Sequence, residues 1–216
     1  MKNIGILGSG TVATTLAGGF IKYGYKVCQG TGHPEKLSEW KSKQGDNAQV
    51  GSFAQAAKFG ELLVLAVKGD VAVEVLESAG KENIGQKTII DTCNPIKAAP
   101  PVNGVLPYFT DINESLMEQI QNAFPDAHLV KAFNSIGAPL MINPDFGETK
   151  PTMFICGNSG QAKKEVTEIC TLFGFDAEDM GAAEAARAIE PLCMLWCIVG
   201  LTTNQWTGHA FKLLRK

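Results

Sequence analysis

Residues 4–13 read Ile-Gly-Ile-Leu-Gly-Ser-Gly-Thr-Val-Ala, an apolar stretch that is followed by a glycine-rich turn and the start of a helical pattern. In such a turn Gly8 permits a sharp change of direction, Gly10 lets the backbone approach a phosphate, and the small Ala13 allows close packing of helix on strand. The free N–H groups at the start of the helix attract an anion. The stretch therefore predicts a dinucleotide-binding turn.

The rest of the chain continues the alternation of strands and helices. Val12, Leu16 and Phe20 lie on one helix face, and residues 26–31 form a second strand, which completes a βαβ unit. The apolar run at residues 61–67 is typical of a strand buried on both faces of a parallel sheet. Further strands are predicted at residues 87–91, 128–133, 152–156 and 175–179, and helices at 34–43, 71–76, 113–123, 161–173, 182–203 and 204–214.

This pattern predicts an α/β fold, a doubly wound and mostly parallel sheet of the Rossmann type with a short C-terminal helical extension. A chain of 216 residues can bury one substantial core. We expect a dinucleotide-binding domain at residues 1–180 and an extension at residues 181–216 that belongs to the same unit. The net charge of −3 and the interspersed charges give no basic field, so nucleic acid is not an expected partner.

The cysteines and histidines do not form a metal-binding pattern. The six cysteines are scattered through apolar runs without a CxxC pair, which is typical of buried thiols in a reducing compartment. The three histidines are far apart in the sequence, and no metal site is predicted.

Glycines and hydroxyl residues interrupt the N-terminal apolar stretch, which argues against a signal peptide. The apolar run at residues 191–199 is shorter than the roughly 20 residues that span a bilayer, so we expect a buried helix and a cytoplasmic protein without a membrane segment.

Ligands of doubly wound sheets bind beyond the carboxyl ends of the strands. The residues that follow the predicted strands are therefore the candidates for contacts with a dinucleotide. The candidate cofactor-binding residues are Gly8, Ser9, Gly10, Thr11, Val12, Thr31, Gly32, His33, Lys36, Val67, Lys68, Cys93, Asn94, Asn134 and Ala138.

The end of the second strand bears on the choice between NAD and NADP. An NAD site usually places an acidic residue there to hold the ribose 2′-hydroxyl. Here the first acidic residue, Glu35, lies beyond a proline, whereas Thr31 can donate a hydrogen bond and His33 and Lys36 can supply positive charge to a 2′-phosphate. The sequence favours NADP(H), although this segment has no arginine that could bind the phosphate with two parallel hydrogen bonds.

The chain resembles the predicted dinucleotide-binding proteins that are similar to coenzyme F420-dependent NADP oxidoreductase, and the resemblance covers nearly the whole chain. Its most specific block is Val-Lys-Ala-Phe-Asn-Ser-Ile-Gly-Ala at residues 130–138. The other blocks are residues 8–13, 30–36, 151–157 and 185–195, the last with Arg187, Glu190 and Pro191. The resemblance extends to the cytosolic domain of transmembrane metalloreductases. It implies NADPH along the strand ends, a flavin-like acceptor such as F420 or FMN stacked on the nicotinamide, and a homodimer whose C-terminal helices help close the site. Gly32 and Asn134 depart from the family, which tends to have an arginine and a histidine there.

Hydride transfer between two rings needs alignment more than acid–base groups. No catalytic acid or base is assigned, and Asn134 and Ile136 are proposed to line the nicotinamide. The loop at residues 96–110 is expected to border the acceptor pocket. Two alternatives remain open. One is a carbonyl or imine reductase of the hydroxyacid or pyrroline-carboxylate type. Arg187 and Glu190 could bind its substrate, but an i,i+3 ion pair between them explains these residues equally well. The other alternative is a non-catalytic NADPH sensor.

Overall fold

A central parallel sheet organises the chain. The computed structural model describes residues 2–216. Its strands are β1 (Ile4–Leu7), β2 (Val27–Gly30), β3 (Ala48–Gly51), β4 (Leu62–Leu65), β5 (Thr88–Asp91), β6 (His128–Lys131), β7 (Thr152–Ile155) and β8 (Asp176–Asp179). The first six form one sheet in the order β3-β2-β1-β4-β5-β6, and all of its pairs are parallel. The predicted doubly wound fold is confirmed.

Helices cover both faces of this sheet. They are α1 (Thr11–Lys22), α2 (Ser38–Gln44), α3 (Phe53–Phe59), α4 (Ala72–Ala79), α5 (Lys81–Ile84), α6 (Leu116–Ala123), α7 (Gly160–Leu172) and α8 (Ala186–Thr203). Alternate residues of β4 enter different cores: Leu62 and Val64 pack on the side that includes Phe20, and Leu63 and Leu65 pack on the side that includes Leu76. A strand buried on both faces accounts for the unbroken apolar run in the sequence.

The order of the strands reverses between β1 and β4. The chain winds outward from β1 to β3 on one side and from β4 to β6 on the other. Crossovers on the two halves therefore leave from opposite faces, and a crevice opens beyond the carboxyl ends of β1 and β4. This is where the predicted glycine turn lies.

Three short elements were not predicted from the sequence, and one predicted helix is wrong. Strand β3 and helices α3 and α5 were not predicted. Residues 204–216 contain no helix, because Asn204 adopts a left-handed conformation with φ 57° that ends α8. The segment then runs beside β7, where the N–H of Thr152 donates to Phe211 O at 2.8 Å and the N–H of Leu213 donates to Thr152 Oγ1 at 3.0 Å.

Helix α8 is more exposed than expected. It has 18 residues, and the stretch Ala183–Thr203 is long and apolar enough to cross a membrane by length and composition alone. Residues 191–199 are only part of this stretch, because the helix continues on both sides of them. Only 33% of the most apolar window is buried in the protein, and Leu195, Val199 and Leu201 are exposed.

The cysteines fit their prediction: all six are free thiols, and all but Cys197 are buried.

Candidate dinucleotide site

The glycine turn between β1 and α1 has a backbone that only glycine can adopt. Gly8 has φ 140°, and a Cβ atom there would lie 2.1 Å from Ala66 O. Its N–H donates to Gly30 O at 2.9 Å, and its carbonyl accepts from Gln29 Nε2 at 3.0 Å. Both hydrogen bonds fix the turn to β2.

The N-terminus of α1 opens toward this turn. Gly10 is the N-cap residue, and a Cβ atom there would meet no heavy atom within 4 Å. The hydrogen bond from Thr14 N–H to Gly10 O, 3.0 Å long, begins the helix. The amides of Thr11 and Val12 consequently have no acceptor within the helix, and the helix dipole makes this end attractive to an anion.

A cavity of about 650 Å³ lies against this turn. It extends from the glycine turn past the end of β4 to the end of β5 and the loop that follows. Eight predicted cofactor-binding residues line it, namely Gly8, Ser9, Gly10, Thr11, Val12, Val67, Lys68 and Asn94. The other lining residues are Phe53, Ala66, Gly69, Asp70, Val71, Thr92, Ile96, Lys97 and Ala98. The glycine turn and the strand ends therefore identified eight of the 17 residues that line this cavity.

Phe53 is one of the lining residues that sequence reasoning missed, and it belongs to a helix that was not predicted. It is the first residue of α3, whose N-cap Ser52 accepts a hydrogen bond from the N–H of Gln55, while the side chain of Gln55 accepts from the N–H of Ser52. Ser-x-x-Gln before an apolar run is the signature of a capping box. That signal was present in the sequence and would have predicted the start of α3 at Phe53.

The predicted 2′-phosphate residues lie outside the cavity wall. The hydroxyl of Thr31 is mostly buried, donates to Ser9 Oγ at 3.1 Å and accepts from the N–H of His33 at 3.2 Å. The imidazole Nδ1 of His33 lies 3.4 Å from Glu35 Oε1, and Lys36 is exposed. Thr31 thus links the glycine turn to the loop after β2, where Gly32 is exposed.

Two asparagines join the ends of β5 and β6. Asn94 Nδ2 donates to Asn134 O at 2.9 Å, and Asn134 Nδ2 donates to Asn94 Oδ1 at 3.1 Å and to Ile189 O at 3.0 Å. Asn94 lines the cavity, whereas Asn134 is buried behind it, with Oδ1 lacking a hydrogen-bond partner. Ile136 and Ala138 do not line the cavity either. The predicted contact of Asn134 and Ile136 with the nicotinamide stays a prediction.

The residue before Asn134 has a strained backbone. Phe133 is buried and has φ 58°, a conformation that a bulky side chain rarely adopts. Its N–H points to Met153 Sδ at 3.0 Å. Strain of this kind persists only where the surrounding packing imposes it and is common near functional sites.

The side chain of Cys93 points away from the cavity. Its thiol is buried in the core, and its N–H and carbonyl are both engaged, by Asp91 Oδ1 at 2.9 Å and Lys131 Nζ at 2.8 Å. Burial raises the pKa of the thiol, as does the neighbouring carboxylate of Asp91. Cys93 is therefore a structural residue next to Asn94. Its N–H and carbonyl are already hydrogen-bonded and its thiol is buried, so it offers no free polar group to a cofactor.

Arg187 and Glu190 do not form the i,i+3 ion pair that the sequence left open, because each pairs with another residue. Arg187 forms an ion pair with Glu118, in which Nη2 lies 2.5 Å from Oε1, and this pair lowers the pKa of Glu118 to about 2. Glu190 is buried and lies 2.8 Å from the ammonium of Lys131. Both side chains contact α6, but at different places: Arg187 pairs with Glu118, whereas Glu190 accepts from the N–H groups of Leu116 and Met117. Within residues 2–216 no three His, Cys, Asp or Glu side chains cluster as metal ligands would.

The fold and the open glycine turn define a dinucleotide-binding protein of the Rossmann class. Residues 3–95 match the family model described as NADP oxidoreductase, coenzyme F420-dependent. A crystal structure of a provisionally assigned F420-dependent NADP reductase from Arthrobacter sp. FB24 superposes with a TM-score of 0.92 at 30% identity, covering 100% of both chains. The chain belongs to this family, which confirms the expected class of NADP-dependent oxidoreductase.

More distant relatives share parts of this architecture. Metalloreductase STEAP3 of Rattus norvegicus is 28% identical over 190 residues, which are 88% of this chain and 36% of that protein. The chain thus spans about a third of the length of the curated relatives that it matches. The pyrroline carboxylate reductase of Plasmodium falciparum, solved with NADP bound, has a TM-score of 0.56 at 17% identity over 83% of this chain and 57% of that chain, which shows the shared fold.

Proposed function

We propose that the chain transfers a hydride between NADPH and a flavin-like or deazaflavin-like acceptor. The observation that carries this proposal is a single cavity that joins the glycine turn to the end of β5 and to Ile96–Ala98. Bound NADPH would supply the hydride, with both electrons, to the acceptor ring and leave as NADP⁺. The protein then has to bind two flat molecules in contact and exclude water between them.

Each part of the cavity has a separate role in this proposal. The amides of Thr11 and Val12 hold the pyrophosphate, and the absence of a side chain at Gly10 leaves room for it. Lys68 and Lys97 add positive charge along the cavity, which suits phosphate groups of either ligand. Asn94 is the polar group at the end of β5 where the reacting rings would meet.

A preference for NADPH over NADH would arise at the loop after β2. Replacing Lys36 with Ala should lower the ratio of NADPH to NADH affinity by roughly fivefold, because an exposed charge pair contributes up to about 1 kcal/mol. Dissociation constants from NADPH and NADH fluorescence titrations measure this ratio. The matched control is Lys43→Ala, which removes another exposed lysine that pairs with Glu39 at 2.7 Å. An unchanged ratio in Lys36→Ala would remove Lys36 from the 2′-phosphate site.

We also propose a cytoplasmic homodimer. The support is the exposed apolar side of α8, which includes Leu195, Val199 and Leu201 and lies in the segment after the sheet. A second copy of the chain would cover such a face and keep it from water.

The reaction itself is tested by following NADPH absorbance with purified protein. F420, FMN, a cyclic imine, a carbonyl compound and no acceptor are compared, with NADH in place of NADPH as a control. Rapid oxidation with F420 or FMN would support the proposal and identify the acceptor. Oxidation only with a cyclic imine or a carbonyl compound would replace it with the reductase alternative, and NADPH binding without turnover of any acceptor would favour a sensor.

A further inference from the structure

A buried cluster of three charges lies beneath the ends of β5 and β6. The ammonium of Lys131 is fully buried and lies 2.7 Å from Asp91 Oδ2 and 2.8 Å from Glu190 Oε1. Asp91 and Lys131 are register partners at the ends of neighbouring strands, whereas Glu190 comes from α8. We refer to Asp91, Lys131 and Glu190 as the ionic triad.

The hydrogen bonds of the triad are close to complete. The third contact of the Lys131 ammonium is Cys93 O at 2.8 Å. Glu190 Oε2 accepts from the N–H of Leu116 at 2.9 Å, and Oε1 also accepts from the N–H of Met117 at 3.0 Å, so the carboxylate binds the N-terminus of α6. Burial alone would lower the pKa of Lys131, but the two carboxylates outweigh it and raise the pKa above its ordinary value. The ammonium of Lys131 therefore keeps its charge inside the protein.

Residues next to the triad orient the asparagine pair. Asp91 Oδ1 and Lys131 Nζ hold the N–H and the carbonyl of Cys93, the residue directly before Asn94. Glu190 directly follows Ile189, whose carbonyl accepts from Asn134 Nδ2 at 3.0 Å. The ionic contacts of the triad thus hold the backbone next to Asn94 and the backbone next to Ile189, and these two positions fix the asparagine pair.

We propose that Glu190 is a positioning residue, which acts through Lys131 and Asp91 to hold Asn94 and Asn134 in the orientation that the reacting end of the cavity requires. This inference rests on the proposed hydride transfer. Glu190 itself has no contact with the cavity, and it acts on the amide pair through the position of α8 relative to the two strand ends.

The variant Glu190→Gln tests the charge of this residue with little change in volume. A carboxylate offers two acceptor oxygens, to the N–H of Leu116 on one side and to Met117 and Lys131 on the other. A glutamine offers one oxygen, so its NH₂ group has to face one of these donors. We expect α8 to shift locally and the Ile189 carbonyl to move away from Asn134.

The matched control is Arg187→Gln. Arg187 also ties α8 to α6, through Glu118, but this ion pair lies at the surface and outside the triad. We expect Glu190→Gln to lower kcat roughly 10- to 100-fold, because a small misplacement of reacting groups has effects of this size. The dissociation constant of NADPH should stay within about threefold, since the pyrophosphate end is remote from the triad, and Arg187→Gln should change neither quantity.

A second readout does not depend on turnover. The side-chain amides of Asn94 and Asn134 should exchange slowly with solvent in the wild-type protein and lose this protection in Glu190→Gln but not in Arg187→Gln, as measured by NMR. Asp91→Asn, which removes the other carboxylate, should give the same pattern if Glu190→Gln does not fold. Similar effects of Glu190→Gln and Arg187→Gln would overturn the inference, as would unchanged amide protection. A wild-type protein that binds NADPH but reduces no acceptor would refute the proposed function, and the exchange measurement would still decide the positioning role.

Discussion

Lys131→Met is expected to lower the free energy of unfolding by about 3–5 kcal/mol, because it leaves two buried carboxylates without their cation. Asp91 and Glu190 are both within 2% of full burial at the side chain, so water does not replace the lost ammonium. The Cys93 carbonyl would lose a hydrogen-bond donor at the same time. Urea unfolding at neutral pH, followed by circular dichroism, measures this difference.

The control for this prediction is an exposed lysine. Lys43→Met removes an i,i+4 partner of Glu39 whose side chain is 67% exposed, and such pairs contribute about 0.3–0.5 kcal/mol. The comparison separates loss of a lysine side chain from loss of a buried cation. A decrease of less than about 1 kcal/mol in Lys131→Met would mean that the buried carboxylates have other partners or bind protons in the folded state.

The sequence predicted the parts of the fold that have a local signature. The first βαβ unit follows from the glycine turn and the spacing of Leu16 and Phe20, and β4 follows from its apolar run. Strand β3 has only four residues, Ala48–Gly51, with a burial pattern of partial exposure, so its apolar signal is weak. It lies at the edge of the sheet and pairs in parallel with β2, with Gly51 opposite Gly30.

The C-terminal segment shows why a helical composition can mislead. Residues 204–214 contain no proline, and their pattern fits a helix. Distant contacts decide the structure instead: Trp196 Nε1 donates to His209 O at 3.0 Å, and the two rings stack with centroids 4.6 Å apart. Tertiary packing of this kind overrides weak helical preferences.

The same limit applies to the candidate site. The residues of the glycine turn could be predicted because their roles depend on immediate neighbours. The position of Asn134 depends on Asn94, 40 residues earlier, and on the carbonyl of Ile189, 55 residues later. Sequence reasoning placed Asn134 at the correct strand end but had no means of seeing that Asn94 would stand between it and the cavity.

Gly10→Leu is expected to weaken NADPH binding by at least about 100-fold, or about 2.7 kcal/mol, while the protein stays folded. Gly10 has φ −78°, which any residue can adopt, and a side chain there would meet no heavy atom within 4 Å of Cβ. Gly10 itself lines the cavity, so the leucine side chain would extend into the space where the pyrophosphate is proposed to bind. Fluorescence titration with NADPH measures the effect, and thermal unfolding verifies the fold.

Two other glycines separate binding from folding. Gly18 lies on the same helix, also has open space where a Cβ atom would lie and does not line the cavity, so Gly18→Leu should leave NADPH affinity unchanged. Gly8→Ala should instead damage the fold, because Cβ would lie 2.1 Å from Ala66 O and φ is 140°. The two substitutions differ because a Cβ atom has open space at Gly18 but would clash with a backbone carbonyl at Gly8. Retained NADPH affinity in a folded Gly10→Leu protein would show that the pyrophosphate binds elsewhere.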